Sequence, residues 1–401
     1  MLNKKGIREL AYVSEIKAID PITGSDHCES ATVEGWHVMV RKEQFKVGDK
    51  CVYFEIDSKL DTTKEEFAFL DKCHGKIKTQ KYTFGGKGLF YSQGLLMRLD
   101  EVGLKESDYK VGDFLTDVLE VKYADEEDNK RKANDKKQFN STFKEFKKYR
   151  IIKWLMRYET TRNILLFFFA EKKATKSAFP THFPTIHKTD QERCENMTWV
   201  LNDKTPYIVT QKCDGSSATY ILERKGKKKY EFYVCSRNMR LDNPNAKTYH
   251  NEQGERNVYW DMAIKYDIEK KLTDYLEKHI DDDYICWQGE ICSPSIQGNP
   301  HHLKEAHLYL FHMIDKNGKW DMRNARRIWE DYGMEYVPIV NEGYIMPDDF
   351  ETFKLTADGF YDASVCEGKD NCKREGFVYY KTTDPNFSFK NVSREYLAKK
   401  K

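Results

Sequence analysis

The stretch that decides the reading of this chain is Val209–Tyr220, VTQKCDGSSATY. It begins in strand-like residues, turns at Asp214-Gly215, and leads back out through SSATY. Asp-Gly is a turn signal, because glycine accepts positive φ and aspartate caps its own backbone. Lys212 stands just before that turn, between two strands. It is therefore either a solvated charge or a chemical centre. A lysine held between strands can have its pKa lowered by desolvation and by cationic neighbours or a metal, and the neutral amine can then attack phosphorus. The stretch alone leaves both readings open.

The bulk numbers set the frame. A chain of 401 residues implies two domains, and 39% hydrophobic with 14% aromatic residues is enough for real cores. The formal net charge is +2, so any basic surface for nucleic acid must be local. None of the ten cysteines forms a CxxC pair. The closest, Cys286/Cys292 and Cys366/Cys372, are poorly spaced for zinc, so free thiols in a reducing cytosol are expected. His301-His302 and His307 likewise lack Cys or Asp partners at ligand spacing. The opening MLNKKGIREL has no apolar segment, and the apolar run NILLFFFA (Asn163–Ala170) is too short to span a bilayer. The expectation is a soluble cytoplasmic or otherwise intracellular protein, not secreted, with no membrane contact.

Residues 1–123 carry short alternating runs with glycine turns: AYVSEIKAID, SATVEGWHVMVRK, FKVGDKCVYFEID, GLFYSQGLLMRL and YKVGDFLTDVLEVKY. This pattern predicts a small OB-type β-barrel. The likeness of Phe45–Asp49 to Tyr109–Asp113 reads as a recurrent turn rather than a repeat. Residues 124–178 begin with a charged tract that cannot bury a core, followed by amphipathic helical spacing over IIKWLMRYETTRNILLFFFAEKK. Two Phe-Pro pairs then mark an extended entrance to residues 179–401. That last part predicts an α+β domain on antiparallel sheets. Strands are expected at Thr205–Gln211, Ser217–Arg224, Lys229–Ser236, Tyr284–Ile291, Leu308–Asp315 and Gly376–Lys381. Helices are expected at Asn257–Lys278, Met322–Tyr332 and Asp348–Ala357.

Charged groups in this domain sit at strand ends: Lys212 and Asp214, Arg237 in VCSRNMRL, Glu290 in WQGEIC, Glu375 in REGFVYYK, and Lys390 in NFSFKNVS. Taken in order, these pieces resemble the covalent nucleotidyltransferases, which include DNA ligases, RNA ligases and capping enzymes. Lys212-Cys213-Asp214-Gly215 matches the K-x-D-G motif. Ser216-Ser217, Ser236-Arg237-Asn238 and the Glu-Gly-x-Val pattern at Glu375–Val378 look like the RNA ligase branch. An N-terminal OB-like module followed by FPTIHKTDQER (Phe183–Arg193) is similar to the Naegleria-type ATP-dependent RNA ligases, with an RNA ligase 2-like nucleotidyltransferase (ATP-grasp-like ligase) domain.

The resemblance implies an enzyme that joins 3′-OH and 5′-phosphate RNA ends through lysyl-AMP and an adenylylated 5′ end, in RNA repair. Its cofactors would be ATP and Mg²⁺ or Mn²⁺. Its partner would be RNA with nicked or broken ends, with no obligate protein partner. It further implies that Lys212 is the nucleophile, Gln211 reads the adenine edge, Phe311 stacks on adenine, and Glu290 holds the ribose and faces the metal. Arg237 would orient AMP, Asp214 and Glu375 would bind the hydrated metal, Lys390 would touch the α-phosphate, and Lys188 and Arg193 would hold pyrophosphate. Two departures stand out. His312 occupies a place that is often acidic, and no second lysine lies two places after Lys390. A capping-type guanylyltransferase and a non-catalytic RNA-binding protein with a ligase fold are the alternatives. The absence of Arg after Gly-Ser argues against the first, and the joint presence of Lys212, Glu290, Glu375 and Lys390 against the second.

Overall fold

The computed structural model describes residues 1–3, 7–86, 88–124, 149, 176–241, 257–367 and 372–399. The charged tract and amphipathic helices expected within 124–178 lie outside these residues, except for Ala124, Tyr149 and the strand Lys176–Ala178.

The N-terminal barrel is built from short antiparallel strands. Ala11–Glu15 pairs with Lys50–Phe54, which pairs with Leu95–Met97. Ala18–Pro21, Cys28–Val33 and Trp36–Arg41 form a second sheet, and Thr79–Thr83 with Leu89–Gln93 a hairpin. In Trp36–Arg41 the buried residues are Trp36, Val38 and Val40, the period of a strand with one face inside. Lys50–Phe54 is buried on both faces: Val52 and Phe54 join a core with Leu10, Val13 and Phe67, while Cys51 and Tyr53 join one with Tyr12, Trp36 and Val38.

The two look-alike turns adopt one conformation. Asp49 and Asp113 each accept the backbone N–H of the lysine three residues earlier, at 2.7 Å, and Gly48 and Gly112 take φ of 91° and 94°. Their N–H groups donate to Ile16 O and Val13 O. The second turn leads to a bridge between Phe114 and Tyr12 and a short strand at Lys122–Tyr123.

The C-terminal domain has two sheets. A seven-stranded antiparallel sheet runs Lys176–Ala178, Met239–Leu241, Lys229–Ser236, Ser216–Gly226, Tyr284–Cys292, His307–Asp315, Gly318–Lys319. A five-stranded sheet runs Glu192–Arg193, Asp384–Val392, Gly376–Lys381, Tyr207–Gln211, Ile339–Tyr344, antiparallel except at its first pair. Ile208, Val378 and Tyr380 of the smaller sheet share a core with Tyr220, Trp287, Leu310 and Met313 of the larger. The helix Ile268–Lys278 adds Ile268, Leu272, Tyr275 and Leu276, the i, i+4, i+7, i+8 stripe of a one-sided helix. Phe183 and Ile186, from the Phe-Pro segment, pack with Ile221, Tyr233 and Ile314 in a separate cluster.

Three expectations need correction. The single helix expected over Asn257–Lys278 is two, Val258–Lys265 and Ile268–Lys278, because Asp267 takes the left-handed conformation (φ 49°), which a short polar side chain tolerates. Asp384–Val392, around Lys390, is a full strand; Pro385 sits at its start, where a missing N–H is tolerated. The cysteines are not all free. Cys366 and Cys372 are joined, since the chain returns antiparallel with Tyr361 N–H donating to Cys372 O, and eight remain as thiols. Among the described residues no helix is long and apolar enough to cross a membrane.

The barrel meets the second domain through residues 193–196. Asn196 accepts hydrogen bonds from Trp36 Nε1 (2.6 Å) and Tyr12 OH (3.1 Å) and donates to the buried Glu55 (2.8 Å). Gly35 N–H donates to Glu195 O at 2.8 Å. Just behind this seam Lys354 and Glu195 are both buried, with Nζ 2.6 Å from Oε1 and 3.0 Å from Val392 O. Removing one partner strands the other charge, at a cost of about 3–5 kcal/mol. Lys354→Ala should lower the urea-unfolding free energy by about that amount, and Lys354→Met combined with Glu195→Leu should recover most of it.

Candidate active site

Lys212 lies where the chain crosses from the smaller sheet to the larger. Tyr207–Gln211 is buried throughout, Lys212 N–H donates to Gly376 O at 3.0 Å, and Ser216–Gly226 continues in the other sheet. The glycines on either side of this crossing are set by backbone proximity. A Cβ on Gly215 would fall 2.3 Å from Ile291 O. One on Gly376, at φ +149°, would fall 2.1 Å from Asn391 O. The Tyr361 hydroxyl fastens the two motifs together, donating to Lys212 O (3.1 Å) and accepting Glu375 N–H (3.1 Å).

Three carboxylates surround one ammonium. Lys212 Nζ donates to Glu375 Oε2 at 2.9 Å. Glu290 Oε1 accepts Gly215 N–H at 3.1 Å, and Asp214 accepts from Tyr396 OH. Burial acts to lower the Lys212 pKa, but Glu375, Glu290 and Asp214 outweigh it and hold the lysine above its ordinary value. Burial, opposed by Lys212 and reinforced by Glu375 and Asp214, pushes Glu290 up to about 8. An all-oxygen set of this kind suits a hydrated Mg²⁺ or Mn²⁺, so the residues fit such an ion.

A second cluster is cationic. Arg193 and Lys390 are register partners on parallel neighbouring strands. Burial, then the charges of Arg193, Lys212 and Arg8, bring Lys390 down to about 7, with Asp190 opposing. Arg193 is buried: one nitrogen lies 3.3 Å from Asp57 of the barrel, and its Nε and second terminal nitrogen have no hydrogen-bond partner among the described residues. Buried donors without partners beside a half-neutral lysine suit an anion.

The remaining expected residues are placed as follows. Arg237 pairs with Asp190. Gln211 is buried, and its side-chain oxygen accepts Asp362 N–H at 2.9 Å. Phe311 is half-buried at the edge of the main core. Lys188 is exposed and makes no ion pair among the described residues. His312 is buried, its Nδ1 2.9 Å from Gln288 Oε1, and burial holds its pKa well below the ordinary value, so the ring is neutral where relatives often carry a carboxylate. Arg394 is engaged by Glu351 at 2.6 and 2.8 Å. Tyr361, Tyr396 and the barrel residue Arg8 were not foreseen. Arg8 reaches Glu55 and Asp57, some fifty residues away in sequence, and no local spacing announces that.

Residues 205–399 match the family model described as RNA ligase, and residues 10–89 match an OB-fold domain. Residues 205–399 form an RNA ligase domain. Solved structures of the Naegleria gruberi RNA ligase resemble the whole chain. Its complex with pyrophosphate is 26% identical with a TM-score of 0.70, covering 98% of this chain and 99% of that one. A lysine-to-alanine variant with ATP and manganese is 25% identical with a TM-score of 0.69, covering 99% of both. A glutamate-to-alanine variant with AMP and manganese is 26% identical with a TM-score of 0.68, covering 98% and 99%. A search of curated proteins found no match. The chain thus has an N-terminal OB fold and a C-terminal domain of mixed helices and antiparallel sheets, similar in fold to the Naegleria enzyme.

The charge arrangement makes a prediction. With its pKa near 8, Glu290 is mostly protonated at pH 7 in the ion-free protein. Binding Mn²⁺ favours the carboxylate, so it should release a proton at pH 7, and affinity should rise as pH approaches 8. An indicator dye should record this release in wild type, and Glu290→Gln should abolish most of it.

Proposed function

We propose that this protein is an ATP-dependent RNA ligase that joins 3′-OH and 5′-phosphate ends through a lysyl-AMP intermediate. The observation that carries the reading is the convergence of Lys212 with Asp214, Glu290 and Glu375 at the crossing between the sheets, beside the buried Arg193–Lys390 pair. The complexes of the Naegleria enzyme with ATP and manganese, with AMP and manganese and with pyrophosphate support it.

In this reading the Lys212 amine attacks the α-phosphorus of ATP, a P–N bond forms, and pyrophosphate leaves. AMP then passes to the 5′-phosphate of RNA, and the 3′-OH displaces it to close the strand. Phosphoryl transfer depends on alignment and charge neutralisation more than on covalent help from the protein. Lys390 contacts the α-phosphate, and Arg193 with Lys188 holds the pyrophosphate. Arg237 changes partner from Asp190 to the nucleotide. Gln211 reads the adenine edge, Phe311 stacks on the ring, and Glu290 holds the ribose. Asp214, Glu290 and Glu375 would hold Mg²⁺ or Mn²⁺ through its waters, and the ion supplies the positive charge that lets Lys212 lose its proton. We assign residues 1–123 to the OB module, 124–178 to a linker, and 179–401 to nucleotidyl transfer. The module would grip RNA by phosphate contacts and stacking, within an intracellular compartment.

The test is incubation with α-labelled ATP or GTP followed by denaturing electrophoresis and by sealing of nicked RNA with a 5′-phosphate. ATP should label wild type, GTP should not, and folded Lys212→Ala should lose both label and sealing. Labelling by GTP, or persistent labelling of Lys212→Ala, would refute the reading.

A further inference from the structure

Behind the nucleophile lies a group of side chains that adenylyl transfer does not use. Cys213, Cys292 and His301 are 3%, 1% and 1% exposed, and their ligand atoms all lie within 4.8 Å of one another. They come from three places: the turn after Lys212, the end of the strand Tyr284–Cys292, and the loop that follows it. The sequence offered His301 no cysteine at ligand spacing. The fold supplies two, because Gly215 packs so closely on this strand that a Cβ there would lie 3.0 Å from Cys292 Sγ.

His301 is already oriented as a ligand. Its Nδ1 donates to Val365 O at 2.8 Å, which leaves a lone pair on Nε2, and its ring lies against Tyr361 with centroids 4.2 Å apart. An outer hydrogen bond of this kind fixes the tautomer of metal-binding histidines. In the ion-free protein the lone pair accepts Asp214 N–H at 3.1 Å. Two sulfurs and one imidazole nitrogen prefer a borderline-soft cation to Mg²⁺, and three protein ligands leave one position open.

The structure assigns Cys213, Cys292 and His301 as a binding site for a zinc-class cation, whose occupancy disables the neighbouring Lys212. Binding sends the two thiol protons to solvent and draws Nε2 away from the Asp214 amide. That hydrogen bond is then lost from the turn that carries Lys212 and Asp214. The site shares no donor atom with the carboxylates of Asp214, Glu290 and Glu375. The inhibitory consequence rests on the proposed role of Lys212; the binding itself does not.

The experiment uses the full chain, freed of metal by chelation, with Co²⁺ as the spectroscopic probe. Co²⁺ should give a thiolate-to-metal charge-transfer band that saturates stoichiometrically, is abolished by Zn²⁺, and is absent in Cys292→Ala and in Cys213→Ser. With Mg²⁺ in excess, Zn²⁺ should suppress lysyl-AMP formation in wild type, and Cys292→Ala should require at least about tenfold more Zn²⁺ for the same loss. If Cys292→Ala does not fold, Cys292→Ser preserves the volume and removes the thiolate. No band, or a band that survives both cysteine substitutions, overturns the site. A band lost as expected, with adenylylation indifferent to Zn²⁺, overturns the inhibition. Absence of lysyl-AMP even without Zn²⁺ would contradict the ligase reading and leave the cation site standing.

Discussion

One ammonium facing three carboxylates is the constraint on which the rest of this molecule depends. Lys212 is held between two sheets with Glu375 at 2.9 Å and with Glu290 and Asp214 close enough to raise its pKa. Left alone, that arrangement produces a poor nucleophile, because every carboxylate favours the protonated amine. Burial, with Glu375 and Asp214 adding to it against Lys212, also pushes Glu290 up to about 8. The site makes chemical sense when a divalent cation supplies the missing charge. The two motif glycines, the Tyr361 hydroxyl and the backbone bond from Lys212 to Gly376 all serve to keep these four side chains in one place.

The barrel is part of the same electrostatic arrangement. Arg193 is register partner to Lys390 on one side and reaches Asp57 of the barrel on the other. Arg8, also from the barrel, contributes to the low pKa of Lys390. A change at the seam between the domains is therefore felt by the Arg193–Lys390 pair. Asn196, shared by Trp36, Tyr12 and Glu55, fixes the seam itself.

Much of this was legible in the sequence, for identifiable reasons. Period-two runs such as Trp36–Arg41 announced the barrel because that signal is local, and Lys-Cys-Asp-Gly with its strand-end partners, taken in order, announced the C-terminal domain through its resemblance to the covalent nucleotidyltransferases. What escaped was non-local or conformational. The helix break at Asp267 hangs on one left-handed residue. The Cys366–Cys372 link depends on an antiparallel return of the chain. Tyr361, Tyr396 and Arg8 reach the site from positions that carry no motif. His312 was marked as a departure, and the structure supplies its environment: a neutral imidazole against Gln288.

The central claim is that positive charge from a divalent cation sets the protonation of Lys212. The most direct measurement is the pH dependence of single-turnover lysyl-AMP formation at a series of Mg²⁺ concentrations. Only the neutral amine attacks, so the rate should climb with pH through the apparent pKa of Lys212. That midpoint should fall steadily as Mg²⁺ is raised. A midpoint that stays fixed at all Mg²⁺ concentrations, or rapid lysyl-AMP formation in excess chelator, would contradict the account.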